Sequence, residues 1–551
     1  MNSALLTAIC LLLFYFGYRF YSKYIAKKIY SLDDTHKTPA HEFEDGIDYV
    51  PTNKHILFGH HFTSIAGAAP IIGPCIALYW GWLPAVLWVV IGTIFMGAVH
   101  DFGALVVSLK EKGKSIADIS SKVINKRIRV MFLIFIMLLT WLVLAVFAEA
   151  IAEAFKNNPK AVLPVNIEII VAIIIGYFIY KKQANAFIPS IIALAVLYLF
   201  IWIGTNNPID LKDFGIENIK HTWVILLFIY SAIASLIPVW ILLQPRDYIN
   251  SHQLIVGLGL IFLSIFIVQP EITIPIVDHL NSDEKSIIPF LFVTIACGAI
   301  SGFHGLVSSG TTSKQVNQMK DARMIGYGAT LGEGSLALAA IIAAAAGYAL
   351  HQHGFDGHTS FPDKGTALGT FINGGAALLE QINLPKELAK NLMVVLVVSF
   401  AATTLDSATR IQRYIITEFG SATKINFLKN KYLATFISIV PAYFIATNDN
   451  LRAELWQTFG ASNQMLAALT LMILSIYFWK KKKNIVPLLI PMIIIMIITI
   501  WALIIKFQQA ENSLLLMIIN GTLITLILWM IGEGCLYCFN NYKRIKASNN
   551  G

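Results

Sequence analysis

Apolar runs of membrane length recur along the whole chain, at 3–20, 62–80, 83–107, 130–153, 165–180, 186–204, 222–243, 252–268, 289–307, 324–350, 390–405, 432–447, 457–479, 485–505 and 513–535. Since a span takes about 20 residues, the pattern predicts an all-α polytopic membrane protein with about fifteen transmembrane helices. With alternate loops on opposite sides, one side collects Arg19 to Lys54, 108–129, 181–185, 244–251, 308–323, 406–431, Lys480 to Lys483 and Lys543 to Lys546. Those loops hold 31 of the 41 Lys and Arg, and the other side holds 10. By the positive-inside rule they are cytoplasmic, which puts the N-terminus outside and the C-terminus inside.

Composition sharpens this picture. The 551 residues are 56% hydrophobic and 13% charged, against roughly 45–50% and about 25% in soluble domains, which argues against a soluble enzyme. The net charge of +9 is accounted for by the loop bias, so the partner is a lipid bilayer and not nucleic acid. The first span is expected to be a retained anchor, because Arg19, Lys23, Lys27 and Lys28 follow its apolar run instead of preceding it. Five cysteines lie in or beside spans and imply no disulfide framework; Cys535 and Cys538 are expected to be helix-face residues and not a redox or metal pair. No G-x-x-x-x-G-K-[ST] occurs, so ATP-driven transport would need another subunit.

Candidate chemistry is concentrated in the polar residues within spans, because lipid-facing helices need none. The second span reads Gly59-His60-His61 through Gly67, Pro70, Gly73 and Pro74. Two prolines four residues apart remove backbone donors and predict a broken helix with freed carbonyls and amides; the alternative is a kinked packing helix. The ninth span carries four glycines, His304 and the hydroxyls Ser308, Ser309, Thr311 and Thr312, which suit a sodium ion or a proton path. Glu333 is the deepest carboxylate and is either a proton carrier or a buried hydrogen-bonding group. Asp101, Arg246, Asp247, Asp406 and Arg410 lie toward cytoplasmic span ends, as ion-pair gates or as fixed structural pairs. Glu149 and Glu533 complete the ionisable set, and Asn463 and Gln464 need buried partners or water. Gly326 to Gly332 follows no strand and is not a nucleotide loop, while His351, His353, Asp356 and His358 read as a solvated loop and not a metal site.

The stretches His60 to Pro74, Val99 to Phe102, Leu243 to Tyr248, Ile295 to Gln315, Gly326 to Gly328, Leu405 to Tyr414 and Phe459 to Leu466 resemble, in order, the motif series of the carbon starvation (CstA) family of bacterial transporters. The resemblance covers about residues 20 to 480, and its long Ile-Ala-Cys-Gly-Ala-Ile-Ser-Gly-Phe-His string is far more specific than a short motif. It implies uptake of peptides or pyruvate during nutrient limitation, in the cytoplasmic membrane, by a secondary transporter of the amino acid, polyamine and organocation (APC) type. The chain is a compact form, with shorter external loops and C-terminal region, so substrate choice does not carry over.

An APC-type fold implies five-plus-five inverted repeats. The spans permit them as residues 62–204 and 222–405, with 1–61 as an N-terminal span and loop and 432–551 as additional spans. The seventh span, with Ser231, Ser235 and Pro238, would then match the interruption of the second. On this reading His61, Gly67, Pro70, Gly73, Ser231, Ser235 and His304 bind a small carboxylate; Ser308, Ser309, Thr311, Thr312 and Glu333 couple sodium or protons; no other cofactor is expected. The rival readings are a membrane metalloenzyme built on His60, His61, His100, Asp101 and His304, and a nutrient sensor without net transport.

Overall fold

With no water in a bilayer core, each backbone amide and carbonyl must be satisfied within its own segment or sheet, and long Ile-, Leu- and Ala-rich runs do so as helices. The computed structural model describes residues 1–32, 37–181, 187–278, 286–347, 350, 364–448, 452–509 and 514–549. In order, the helices are α1 (Ser3–Ile29), α2 (Lys54–Ile65), α3 (Ala69–Trp80), α4 (Trp82–Lys110), α5 (Ile116–Val123), α6 (Lys126–Asn157), α7 (Pro159–Ile179), α8 (Ile188–Asn206), α9 (Ile219–Leu236), α10 (Leu243–Val268), α11 (Ile287–Thr294), α12 (Gly302–Gly310), α13 (Met319–Gly347), α14 (Lys364–Glu380), α15 (Lys386–Thr423), α16 (Lys431–Ala446), α17 (Leu455–Lys480), α18 (Val486–Gln509) and α19 (Leu514–Asn541).

Twelve of the described helices are long and apolar enough to cross a membrane, and the bent pair α2–α3 makes up to 13. The count of about fifteen apolar runs is therefore approximate. The run at 289–307 is split into α11 and α12, and α16 is a shorter apolar helix. α14 answers to none of the runs: Thr366, Thr370, Asn373 and its glycines dilute its hydropathy.

Burial sorts the helices into a core and a lipid-facing shell. The most apolar window of α17 is 100% buried and those of α13 and α15 are 89% buried, against 28% for α8 and 33% for α18 and α19. The large side chains exposed on that shell are mostly Ile, Leu and Phe, with Trp202, Trp501 and Trp529, as a hydrocarbon solvent requires.

The two ends of the long helix α4 identify opposite faces of the bundle. At its Trp82 end, backbone bonds run from Trp82 and Leu83 to Pro275 and Ile276, and Met1 and Ser3 join the same region through Ile272 and Pro270. At its Lys110 end the side chain bonds the Tyr30 carbonyl, and nearby Lys480 bonds Val123 and Asn125 bonds Glu533. The start of α1 thus lies at one end of α4 and Glu533 of α19 at the other, and that second end, with Lys110, Lys112, Lys114 and Lys480, is the basic face. Two segments assigned to those loops are corrected by the structure: 244–251 lies inside α10, and 406–423 inside the 38-residue helix that forms α15. Arg246 and Arg410 are buried there, Arg246 because carboxylates on other helices neutralise it and Arg410 because carbonyls at the end of α9 take its donors, which a hydropathy scan cannot register.

Two interrupted helices meet at the centre. α2 and α3 are bent by 46° across Ala66 to Ala68, and the chain leaves helical form between Thr294 and Gly302. The second interrupted segment packs backbone to backbone on α3 and on α17: a Cβ on Gly73 would stand 2.4 Å from the Thr294 carbonyl oxygen, and one on Gly460 of α17 2.2 Å from that of Val293. Carbonyls freed by the second break are taken up by α4 and α17, where Thr93 donates to Gly298 O at 2.9 Å and Gln464 to Phe292 O at 2.7 Å. Asn463 accepts from the Phe303 amide at 2.9 Å, capping α12 from a neighbouring helix. These are the partners that the polar pair in a membrane span demanded. The interruption that packs on α2–α3 thus lies at 295–301, while Pro238 sits in the turn between α9 and α10. Gly73→Ala is expected to destabilise the protein by ~1–3 kcal/mol, because the added methyl meets backbone that cannot rotate away; unchanged thermal unfolding would show that the breaks are not in rigid contact.

Candidate functional site

Two groups of buried ionisable side chains flank α2, the helix that enters the first break. The first is built on α4, α12 and α13. Asp101 accepts through Oδ1 from or shares a proton with His100 Nδ1 at 2.7 Å, and through Oδ2 it meets His304 Nδ1 at 2.8 Å and the Thr330 hydroxyl at 2.6 Å. The other ring nitrogen of His304 lies 3.2 Å from Glu333 Oε1, within ion-pair range but without hydrogen-bond alignment. All five residues are buried. One imidazole between two carboxylates can hold a proton at either nitrogen and pass it to either side, because each nitrogen faces an acceptor. His61 bonds the Thr312 hydroxyl at 2.8 Å.

The second group is built on α7, α9, α10 and α15. The Arg246 guanidinium donates to Glu168 at 2.8 Å, to Asp406 at 2.6 Å and to the Tyr230 hydroxyl at 2.7 Å, and Tyr230 donates in turn to Asp406 at 2.7 Å. Ser399 holds the second Glu168 oxygen at 2.6 Å. The next residue, Asp247, bonds His60, with the Ser64 hydroxyl 3.4 Å away. Consecutive histidines of α2 therefore turn to opposite sides, His60 to the arginine group and His61 toward the α12 end.

Several atoms of these groups find no protein partner: Arg246 Nη2, Asp406 Oδ1, Asp247 Oδ1, the Nε2 atoms of His60 and His61, and Ser308 Oγ. Each such atom costs ~1–3 kcal/mol when buried.

The remaining expected site residues divide between packing and local bonds. Gly67 and Gly73 bring backbone close to Thr404 and Thr294, and Pro70 lies against Gly298. Ser231, Ser235, Ser309 and Thr311 bond carbonyls of their own helices, so these hydroxyls do not converge on one point. Asp101 was grouped with the gating arginines and instead belongs with His304 and Glu333. Arg410 also stands apart from Asp406: it bonds the Ala234 and Ile237 carbonyls at the end of α9, with Asp48 3.8 Å away. Glu149 pairs with Lys220 at 3.1 Å. Among the described residues, no three His, Cys, Asp or Glu side chains are placed to hold a metal ion; the loop from His351 to His358 lies outside the described residues.

Sequence reasoning missed Glu168 and Tyr230. Glu168 had a plain signal, a single carboxylate in the run Val162–Gly176, where an ionisable group marks function by default. Tyr230 had none, since a tyrosine in an apolar helix reads as packing.

The sequence profile of the family described as Carbon starvation protein CstA matches residues 2–502. A peptide transporter CstA of Helicobacter pylori is 31% identical over 91% of this chain and 81% of its own length, and one of Bacillus subtilis is 30% identical over 89% and 88%. The pyruvate/proton symporter BtsT of Escherichia coli is 37% identical over 60% of this chain and 47% of its own. Among solved structures, an Eremococcus coleocola manganese transporter is 12% identical with a TM-score of 0.49, covering 91% of this chain and 99% of its own. MhsT in complex with L-phenylalanine is 12% identical at 0.46, covering 88% and 99%. On its sequence, this multi-pass membrane protein belongs to the CstA carbon starvation family.

Proposed function

We propose that the chain is a secondary active importer of small carboxylates, pyruvate or the C-terminal carboxylate of a short peptide, driven by protons across the bacterial cytoplasmic membrane. The observation that carries this reading is the buried chain Asp101, His304 and Glu333 beside the second helix break. It offers a place to load and unload a proton, whereas sodium would need several converging oxygens. Ser309 and Thr311, which bond their own helices, favour the proton. The relatives named as peptide transporters and as a pyruvate/proton symporter support the substrate class. Substrate would bind at the two breaks, where amides at the start of α3 would face an anion. The repeats 62–204 and 222–405, and an orientation with the basic face inside, are parts of the same proposal, as is the absence of enzymatic chemistry and of a resident cofactor.

In proteoliposomes holding the purified chain, an inward proton gradient should drive pyruvate or dipeptide uptake, and a protonophore should abolish it while sodium removal changes nothing. Uptake that follows sodium and survives the protonophore would overturn proton coupling; failure of both substrates would overturn the substrate class.

A further inference from the structure

A cavity of about 150 Å³ opens at the basic face between α5, α12 and α15, lined among others by Tyr49, Ser115, Ser309, Lys314, Tyr414 and Glu418. That is about ten times what a single water needs. Its inner wall is the end of α12: Ser309 lies five residues from His304, about 7.5 Å along the helix. The cavity therefore stands between the buried site and the basic face.

The charges around it are unequal in how they are spent. Glu418 accepts from Ser115 at 2.8 Å and from Arg129 at 3.2 Å. Lys114 pairs with Asp118 at 2.8 Å, and Asp48 takes the Tyr414 hydroxyl. Among the described residues, Lys314 has no carboxylate within ion-pair distance. Its ammonium rests instead 4.8 Å from the centre of the Tyr414 ring and 5.5 Å from that of Tyr49. Aromatic faces attract and orient a cation without occupying its N–H donors. The third carboxylate near Lys314, Asp45, accepts from the Ile47, Asp48 and Tyr49 amides, so each acidic neighbour is held by other donors and the Lys314 N–H donors at the cavity wall stay open to a small anion.

We propose that this cavity is a second binding site for small monocarboxylates, with Lys314 as its charge receptor. That the anion is a carboxylate rests on the transport reading above; that it is an anion rests on Lys314. Equilibrium dialysis of radiolabelled pyruvate against the purified full chain in nanodiscs tests the proposal. The expected result is two molecules per chain at saturation, a twofold loss to one in Lys314→Gln, and recovery of the second in Lys314→Arg. Equal stoichiometry in the wild-type chain and Lys314→Gln would overturn the site. Loss in both variants would do so too, since it would make the effect one of packing and not of charge. Uptake into proteoliposomes separates the two readings. Transport without a Lys314-dependent molecule removes only this site, and a Lys314-dependent molecule without transport removes only the importer.

Discussion

Glu333→Gln is expected to abolish gradient-driven accumulation while substrate exchange between the two sides of the membrane continues. Glu333 is 1% exposed and faces His304 at 3.2 Å. The amide keeps its shape but neither takes up nor releases a proton. If one proton crosses per substrate, each pH unit across the membrane supplies ~1.4 kcal/mol, about a tenfold accumulation. An uncoupled variant equilibrates its substrate and loses that factor for each unit imposed. Counterflow of labelled substrate reads binding and reorientation separately from coupling, so the two effects can be told apart. Accumulation at the wild-type level would show that Glu333 carries no coupling proton and is a structural hydrogen-bonding group. Asp101 is the poorer test, because it also holds His100, His304 and Thr330, and its loss would mix coupling with stability.

The largest effect on stability is expected at Arg246. Arg246→Met removes the one guanidinium between Glu168 and Asp406, both 0% exposed, and leaves two carboxylates buried without a cation. Breaking such a pair from one side costs ~3–5 kcal/mol, chiefly the desolvation of the abandoned charges. Arg246→Lys should recover only part of this, since an ammonium is a point charge and lacks the planar fork that reaches Glu168, Asp406 and Tyr230 together. Combining Arg246→Met with Glu168→Gln and Asp406→Asn should restore most of the stability, because no uncompensated charge remains. Thermal unfolding of the purified variants measures all three. If Arg246→Met unfolds like the wild-type chain, the arginine group is wet and the charges are screened, contrary to its burial.

The broken second span was legible from Pro70, which opens α3 just past the break, whereas Pro74 sits inside α3 without interrupting it; the second interruption was expected at Pro238 and lies instead at 295–301, where the glycines of the ninth run had signalled only a protein-facing helix. Glu333 and His304 were legible as costly residues in apolar runs. Their partnership was not, since Asp101, His304 and Glu333 come from three helices far apart in the chain. The same holds for Arg246, whose partners Glu168, Tyr230 and Asp406 sit on three further helices. Its position beside a span end in hydropathy suggested a cytoplasmic motif, yet it lies within a continuous buried helix.

By itself, the sequence determined that this is a many-helix membrane protein, that its second span is broken, and that a few polar residues in apolar runs, Asp101, His304 and Glu333 among them, need partners. Those are local consequences of hydropathy, missing backbone donors and the cost of burying charge. Only the tertiary structure decided who pairs with whom: that Asp101 bonds His100, His304 and Thr330, that consecutive histidines turn to opposite groups, and that Lys314 lines a cavity against two tyrosine rings. Pairing is a matter of distance across helices, and a residue's own neighbours in the chain carry no record of it.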